Sequence, residues 1–176
     1  MSDLLQMPDG TTFEFLERPD DPETGPLVME FGLAPDCAAP PPHIHPGGQT
    51  ESFECVEGSF ELLVGKEWKR LDPGEKVEVP PGTRHTFRNR SGAPARVRDV
   101  HSPAHSFERY IRRVHALVTG SGASSRNSPQ LIIGVAQLWR EHSDTIAAAG
   151  PPMRVAFTVL ARVGGLLGLK PPPPTP

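Results

Sequence analysis

The chain has 176 residues, of which 36% are hydrophobic, and a formal net charge of -3 at pH 7. This length accommodates one ordinary hydrophobic core plus an appendage, and it is short for two full domains. The slightly negative net charge gives no basic field that would attract a polyanion, so nucleic acid is not an expected partner.

The amino-terminal stretch MSDLLQMPDG bears on localisation and redox state. It has an acidic residue at once and lacks the basic and then apolar leader of a secretory signal. We therefore predict a cytoplasmic protein in which Cys37 and Cys55 are reduced thiols.

Between Phe13 and Val100, short runs of alternating apolar and polar residues are separated by proline and glycine. The seven runs are TFEFLE, LVMEFGL, SFECVEG, SFELLVG, EKVEVP, HTFRNR and ARVRDV. Many of the 22 prolines fall between the runs, where a missing backbone N–H costs no ladder hydrogen bond. The pattern predicts a mainly β fold, either an antiparallel sandwich or a barrel.

After Pro103 the apolar period becomes helical. A first helix is predicted from the apolar stripe between Phe107 and Val118, and the polar segment TGSGASSRNS then ends it. A second helix is predicted through LIIGVAQLWREH, with Ser128 as its N-cap and Pro129 in its first turn.

A third helix is predicted to begin near Pro152 and is apolar almost all round. It is shorter than the roughly 20 apolar residues of a bilayer span and carries two arginines, so no transmembrane segment is expected. We expect it to pack on the barrel or on a second subunit, with a membrane-surface helix as the alternative. The resulting division is a β domain over 1–103, a helical extension over 104–170 and a flexible proline-rich tail over 171–176.

The stretch PPHIHPGGQTE, residues 41–51, holds two of the seven histidines. Residues two apart in a strand point the same way, so His43 and His45 are expected to face the interior together. In the following strand Glu51, Phe53 and Cys55 share the inward parity. Because a buried carboxylate without a cation is unfavourable, a positive charge is expected beside Glu51.

Two further segments supply candidate site residues. In PGTRHTFRN, His85 and Phe87 share a parity, so three imidazoles and one carboxylate would converge as a site for a divalent ion. A hydrogen-bonded structural cluster of histidines is the alternative interpretation. On the last strand, Asp99 and His101 either face inward beside the ligands or lie solvated at the barrel mouth.

The segments HIHPGGQTESFECVEG and GEKVEVPPGTRHTFRN resemble the two signature motifs of the cupin superfamily. The second motif reads G-x5-P-x-G-x2-H-x3-N. Every fixed position of it is matched, by Gly74, Pro80, Gly82, His85 and Asn89.

The first motif reads G-x5-H-x-H-x3-4-E-x6-G and is matched with two departures. The matching residues are His43, His45, Glu51 and Gly58. Cys37 replaces the leading glycine, so a turn with positive φ would be strained there or built differently. Five residues separate His45 from Glu51, and we expect the extra one to bulge at the Gly47-Gly48 turn. This departure leaves Gln49 as an alternative ligand or as a group that supports the ligands.

The resemblance covers residues 13–103 and implies a single cupin β-barrel, a double-stranded β-helix or jelly roll, with two or three C-terminal helices. It implies one divalent transition metal bound by His43, His45, Glu51 and His85. Such donors suit Fe, Mn, Ni, Co or Zn, and four protein ligands on an octahedral ion leave two positions open. FERYIRR and the helices after it are similar to a bacterial group of single-cupin proteins.

Three functions follow from the resemblance. The first is a dioxygenase-type oxidoreductase acting on a small aromatic or enolic metabolite. The second is a non-redox metal-dependent cyclase of polyketide type or an isomerase, and the third is a non-enzymatic cupin that binds a small ligand. The catalytic candidates are Glu51 and His101, and the substrate-binding candidates are Gln49, Phe53, Phe87 and Asp99. Small barrels of this family usually pair, so a homodimer is expected.

Overall fold

The computed structural model describes residues 3–37, 40–120 and 128–175, which contain eleven strands and three helices. The strands are β1 (Leu4–Gln6), β2 (Thr12–Glu17), β3 (Leu27–Leu33), β4 (His43–Ile44), β5 (Thr50–Glu57), β6 (Phe60–Val64), β7 (Glu67–Leu71), β8 (Lys76–Val79), β9 (His85–Arg88), β10 (Ala95–Ser102) and β11 (Ala147–Ala148). The helices are α1 (Phe107–Gly120), α2 (Pro129–Glu141) and α3 (Pro151–Leu166).

The strands form two antiparallel sheets, ordered β1-β2-β3-β10-β5-β8 and β11-β4-β9-β6-β7. Their inner faces meet through aromatic rings. The Phe53 ring on β5 lies 6.4 Å from the Phe60 ring on β6 and 6.0 Å from the Phe87 ring on β9. Buried side chains alternate with more exposed ones along β3, β5 and β10, which places one face of each strand in the core. The predicted mainly β fold is confirmed.

Each of the seven predicted runs forms a strand, and the strand assumed for His43 and His45 is the short β4. Three further strands were missed. β11 has two residues, which are too few to show a period. β7 is an edge strand in which only Leu71 is buried, so its sequence EWKRL shows no alternation. The missed strand β1 has only three residues.

The helices begin close to the predicted positions. The Ser128 side chain caps α2 by accepting a hydrogen bond from the Leu131 backbone N–H at 3.2 Å. α3 packs against α2, where the Phe157 ring lies 4.6 Å from the Trp139 ring. Residues 121–127 of the predicted polar loop lie outside the described residues. Among the described residues, none of the helices has both the length and the hydropathy of a membrane span.

The two departures in the first histidine motif have a simple structural basis. Asp36, with φ of 55°, is the left-handed residue of the turn before β4, so Cys37 does not have to adopt positive φ. Aspartate tolerates this conformation better than most residues. Gly47 and Gly48 have φ of 71° and 81°, and the extra residue is accommodated in their turn as predicted.

Candidate metal centre

Three strands bring the predicted ligands together inside the barrel. His43 on β4 pairs directly with His85 on β9, and their ring centroids are 4.3 Å apart. His45 follows β4 at once, and Glu51 lies on the inward face of β5. All four side chains are buried, and one ligand atom from each lies within 4.8 Å of the others. The predicted convergence is therefore observed.

The donor atoms lie almost as far apart as the ligands of a divalent ion. Glu51 Oε2 lies 3.0 Å from His45 Nε2 and 2.6 Å from His85 Nε2. Around an ion with bonds of about 2.1 Å, neighbouring donor atoms lie roughly 3.0–3.4 Å apart. His85 Nε2 is buried and makes no hydrogen bond of acceptable geometry with any described residue, so it is a donor atom in need of a partner. Imidazole and carboxylate are also the donors that transition metals prefer.

Backbone carbonyls fix the tautomer of all three imidazoles. The Nδ1 atoms of His43 and His85 lie 3.0 Å from Pro41 O and 2.8 Å from Thr83 O. Nδ1 of His45 contacts Thr145 O, which comes from the segment after α2. Because a carbonyl only accepts, each Nδ1 carries the proton and donates it. Each Nε2 lone pair is then available for a metal ion.

The charges of the cluster are set by burial and by Glu51. Burial and the neighbouring His85 hold the pKa of His43 well below its ordinary value, and burial also lowers the pKa of His45. Burial alone would raise the pKa of Glu51, but His85, His101 and His45 hold it well below its usual range. Burial alone would lower the pKa of His85, but the Glu51 carboxylate raises it. The result is an ionised carboxylate beside neutral imidazoles of His43 and His45.

Gln49 is fully buried, and its amide is occupied by other partners. Its Nε2 donates to Pro103 O at 2.6 Å and Ala104 O at 3.1 Å, while its Oε1 accepts from Thr145 Oγ1 at 2.8 Å. These bonds join the turn after His45 to the start of the helical extension. Of the two roles predicted for Gln49 beside the metal, the supporting one agrees with this geometry.

Asp99 and His101 face inward and are completely buried, so the solvated alternative is wrong. His101 Nε2 lies 2.8 Å from Asp99 Oδ2 and 3.3 Å from Glu51 Oε1, and its ring stacks on Phe107 with centroids 3.5 Å apart. Burial raises the pKa of Asp99 to about 7. Asp99 and Glu51 overcome the effect of burial on His101 and raise its pKa to about 10.

Phe53 and Phe87 give the site an aromatic wall, as the sequence predicted. The side chain that covers the site from the helices was not predicted. The Trp139 ring of α2 lies 6.3 Å from the His43 ring, and its Nε1 donates to Tyr110 Oη at 2.9 Å. A tryptophan on the apolar face of a predicted helix is a weak signal for such a role. No local pattern could have placed Thr145 against His45 and Gln49.

Comparison with known proteins agrees with this architecture. Residues 29–101 match the Cupin_2 family, described as a cupin domain. No curated protein matches the chain.

Several solved structures share part of the fold. The protein TT1209 from Thermus thermophilus is 27% identical with a TM-score of 0.48, covering 55% of this chain and 86% of that one. KdgF from Halomonas sp. is 23% identical with a TM-score of 0.49, covering 57% and 86%. The polyketide cyclase RemF from Streptomyces resistomycificus is 25% identical with a TM-score of 0.45, covering 58% and 68%.

These similarities are too low to carry an activity from those proteins to this chain. The family match runs from within β3 to within β10 and includes every predicted ligand. Residues 29–101 thus match a cupin domain, and the two antiparallel sheets agree with that match.

Proposed function

We propose that this chain is a metal-dependent cupin enzyme, a dioxygenase-type oxidoreductase that acts on a small aromatic or enolic metabolite. The observation that carries the proposal is the convergence of three imidazoles and the Glu51 carboxylate in a closed interior. In His45 and His85, Nε2 lies within 3.0 Å of a Glu51 oxygen while Nδ1 faces a backbone carbonyl, which is the orientation of metal-binding histidines.

The proposed ligands are His43, His45, Glu51 and His85, which together suit Fe, Mn, Ni, Co or Zn. When bound, such an ion supplies Lewis acidity and, if it is redox-active, one-electron chemistry. The protein fixes the imidazoles through their Nδ1 atoms and keeps Glu51 ionised. The donor atoms are therefore oriented and in the protonation state for binding an ion before the ion binds.

The surrounding side chains suit a flat, mostly apolar substrate. Phe53 and Phe87 line the inner wall, and Trp139 covers His43 from the side of the helices. These rings exclude water and offer stacking surfaces to an aromatic or enolic ring. Substrate contacts by Asp99 and Gln49 stay predictions, as does a role of Glu51 as a base.

The non-redox alternative, a cyclase or isomerase, is favoured by one contact. His101 Nε2 lies 3.3 Å from Glu51 Oε1, so an imidazole that can donate a proton and a carboxylate that can accept one meet beside the proposed ion. An enzyme that moves a proton on its substrate needs such a pair.

Two measurements test the proposal. Elemental analysis of protein purified without added metal is expected to find a stoichiometric transition metal that His43→Ala removes and that His115→Ala, on α1, leaves in place. Oxygen uptake is then measured with flavonols, catechols and β-diketones. Metal-dependent turnover without oxygen would support the cyclase or isomerase instead. Absence of a stoichiometric ion, with no effect of His43→Ala on stability, would favour the non-enzymatic ligand-binding module.

The homodimer, the division of the chain into two parts and the cytoplasmic location are also proposals. A homodimer would cover the row of exposed apolar side chains on α3, which are Val155, Val159, Val163 and Leu166. The proposed division of the chain after residue 103 falls between β10 and α1. Sedimentation of the purified protein tests the dimer, and a cytoplasmic location is tested by cell fractionation.

A further inference from the structure

We propose that Glu51, Asp99 and His101 form a second divalent-cation site, joined to the first by the Glu51 carboxylate. The inference rests on the proposed metal centre, because Glu51 belongs to both sites. It assigns His101 to metal binding in place of the proton transfer considered for the non-redox alternative.

The three side chains are brought together by neighbouring strands. In the pairing of β5 with β10, Glu51 lies opposite His101 and Phe53 lies opposite Asp99. The resulting distances from His101 Nε2 are 2.8 Å to Asp99 Oδ2 and 3.3 Å to Glu51 Oε1. These separations are close to those of neighbouring donor atoms on one ion, which are about 3.0–3.4 Å.

Within the described part of the chain, the Asp99 and His101 donor atoms of this site are not satisfied by hydrogen bonds. Asp99 and His101 are fully buried, and neither oxygen of Asp99 makes a hydrogen bond of acceptable geometry. The same holds for His101 Nε2, despite its short distance from Asp99. A buried carboxylate that lacks hydrogen bonds is strongly unfavourable unless a cation lies beside it. Ligands of one ion are expected to approach each other closely without hydrogen bonding, as these atoms do.

Glu51 presents a different oxygen to each site. Oε2 faces His45 Nε2 and His85 Nε2, at 3.0 Å and 2.6 Å, whereas Oε1 faces His101. A carboxylate that divides its oxygens in this way can bridge two cations. Carboxylate and imidazole donors favour Mn²⁺, Fe²⁺ or Zn²⁺ at the second position.

The two sites differ in how their histidines are held. Nδ1 of His101 has no hydrogen-bond partner among the described residues, whereas a backbone carbonyl holds Nδ1 in each of the three other histidines. The His101 ring is positioned by its stack on Phe107 instead. A ligand without a fixed tautomer binds less tightly, so the second ion is expected to bind more weakly than the first.

The test is the number of Mn²⁺ ions that the full chain binds after dialysis against excess Mn²⁺. Wild-type protein is expected to bind two ions per chain, and the double variant Asp99→Asn/His101→Phe is expected to bind one. Phenylalanine preserves the ring that stacks on Phe107. The control double variant Asp72→Asn/His115→Phe, outside both sites, is expected to bind two.

An independent readout on unmodified protein is the electron paramagnetic resonance spectrum of the Mn²⁺-saturated chain. Two ions bridged by Glu51 are expected to give the spectrum of a spin-coupled pair, and this measurement decides the matter if the double variant does not fold. One uncoupled ion per chain, lost in His43→Ala, would overturn the second site and leave the proposed function standing. Binding of no ion by wild-type protein would overturn both.

Discussion

His45 and Thr145 are one hundred positions apart, yet Nδ1 of His45 donates its proton to the backbone carbonyl of Thr145. The segment after α2 also adds β11 to β4, pairing Ala148 with His43. The segment after α2 therefore forms part of the proposed metal centre by orienting one of its candidate ligands.

The Thr145 hydroxyl is expected to stabilise this connection. Thr145→Val removes the donor of the 2.8 Å hydrogen bond to Gln49 Oε1 and leaves that oxygen buried. The expected loss in free energy of unfolding is about 1–3 kcal/mol, measured by denaturant titration. In the matched control, Thr158→Val on α3, the lost bond is to the carbonyl of Arg154 within the same exposed turn. An equal loss in both variants would contradict a special role for Thr145.

Trp139 is expected to slow metal exchange. Its ring is 5% exposed and covers His43, so Trp139→Leu should open a path for water and chelators. We expect removal of the ion by EDTA to be at least several times faster than in wild-type protein. Trp68→Leu, which changes a 39% exposed tryptophan on β7, should leave the rate unchanged. Equal rates in all three proteins would show that access does not pass Trp139.

His142 is expected to make stability depend on pH in the acidic range. Burial and Arg113 lower its pKa in the folded protein, although Asp144 opposes them. The unfolded chain therefore binds a proton below about pH 6.5 that the folded chain does not. The contribution of His142 to the free energy of unfolding is therefore complete above that pH. It is lost as the pH falls through the lowered pKa of the folded protein. The loss is about 1.4 kcal/mol for each unit by which the pKa is lowered.

The measurement is denaturant unfolding of wild-type protein and His142→Gln at a series of pH values between about 8 and 5, which span the ordinary pKa of histidine. The variant is expected to lose part of the decrease in stability on acidification. The control is His115→Gln, which changes a histidine that does not belong to the group of His142, Arg113 and Asp144. A variant whose stability decreases as steeply as that of wild-type protein would rule out His142 as a source of the effect.

Gly58 is expected to tolerate no side chain. Its φ is 74°, and an added Cβ would lie 2.4 Å from Pro94 O. Gly65 has a similar φ of 63°, but apart from Gly65 and its two chain neighbours no described residue has an atom within 4 Å of the added Cβ. We expect Gly65→Ala to cost about 1 kcal/mol through backbone strain alone, and Gly58→Ala to cost at least about 3 kcal/mol. Thermal unfolding of both variants compares them, and equal losses would mean that the turn shifts to relieve the clash.

The β-rich part of this protein could be predicted because strand periodicity is local. Alternation along β5 placed Glu51, Phe53 and Cys55 on the buried face, as the structure shows. The motif spacing likewise predicted the convergence of His85 with His43 and His45. β1 and β11 were missed because two or three residues are too few to show a period.

Only the tertiary structure decided what surrounds the ligands. The alternation of β10 showed that Asp99 and His101 point the same way, but it did not show whether they are buried. In the folded chain Phe107 packs on His101, and both side chains are buried. Thr145 is a hydrogen-bond partner of both Gln49 and His45, and nothing in its local sequence indicates either contact. Periodicity sets the direction in which a side chain points, whereas the group that it meets depends on distant segments that only the folded chain brings together.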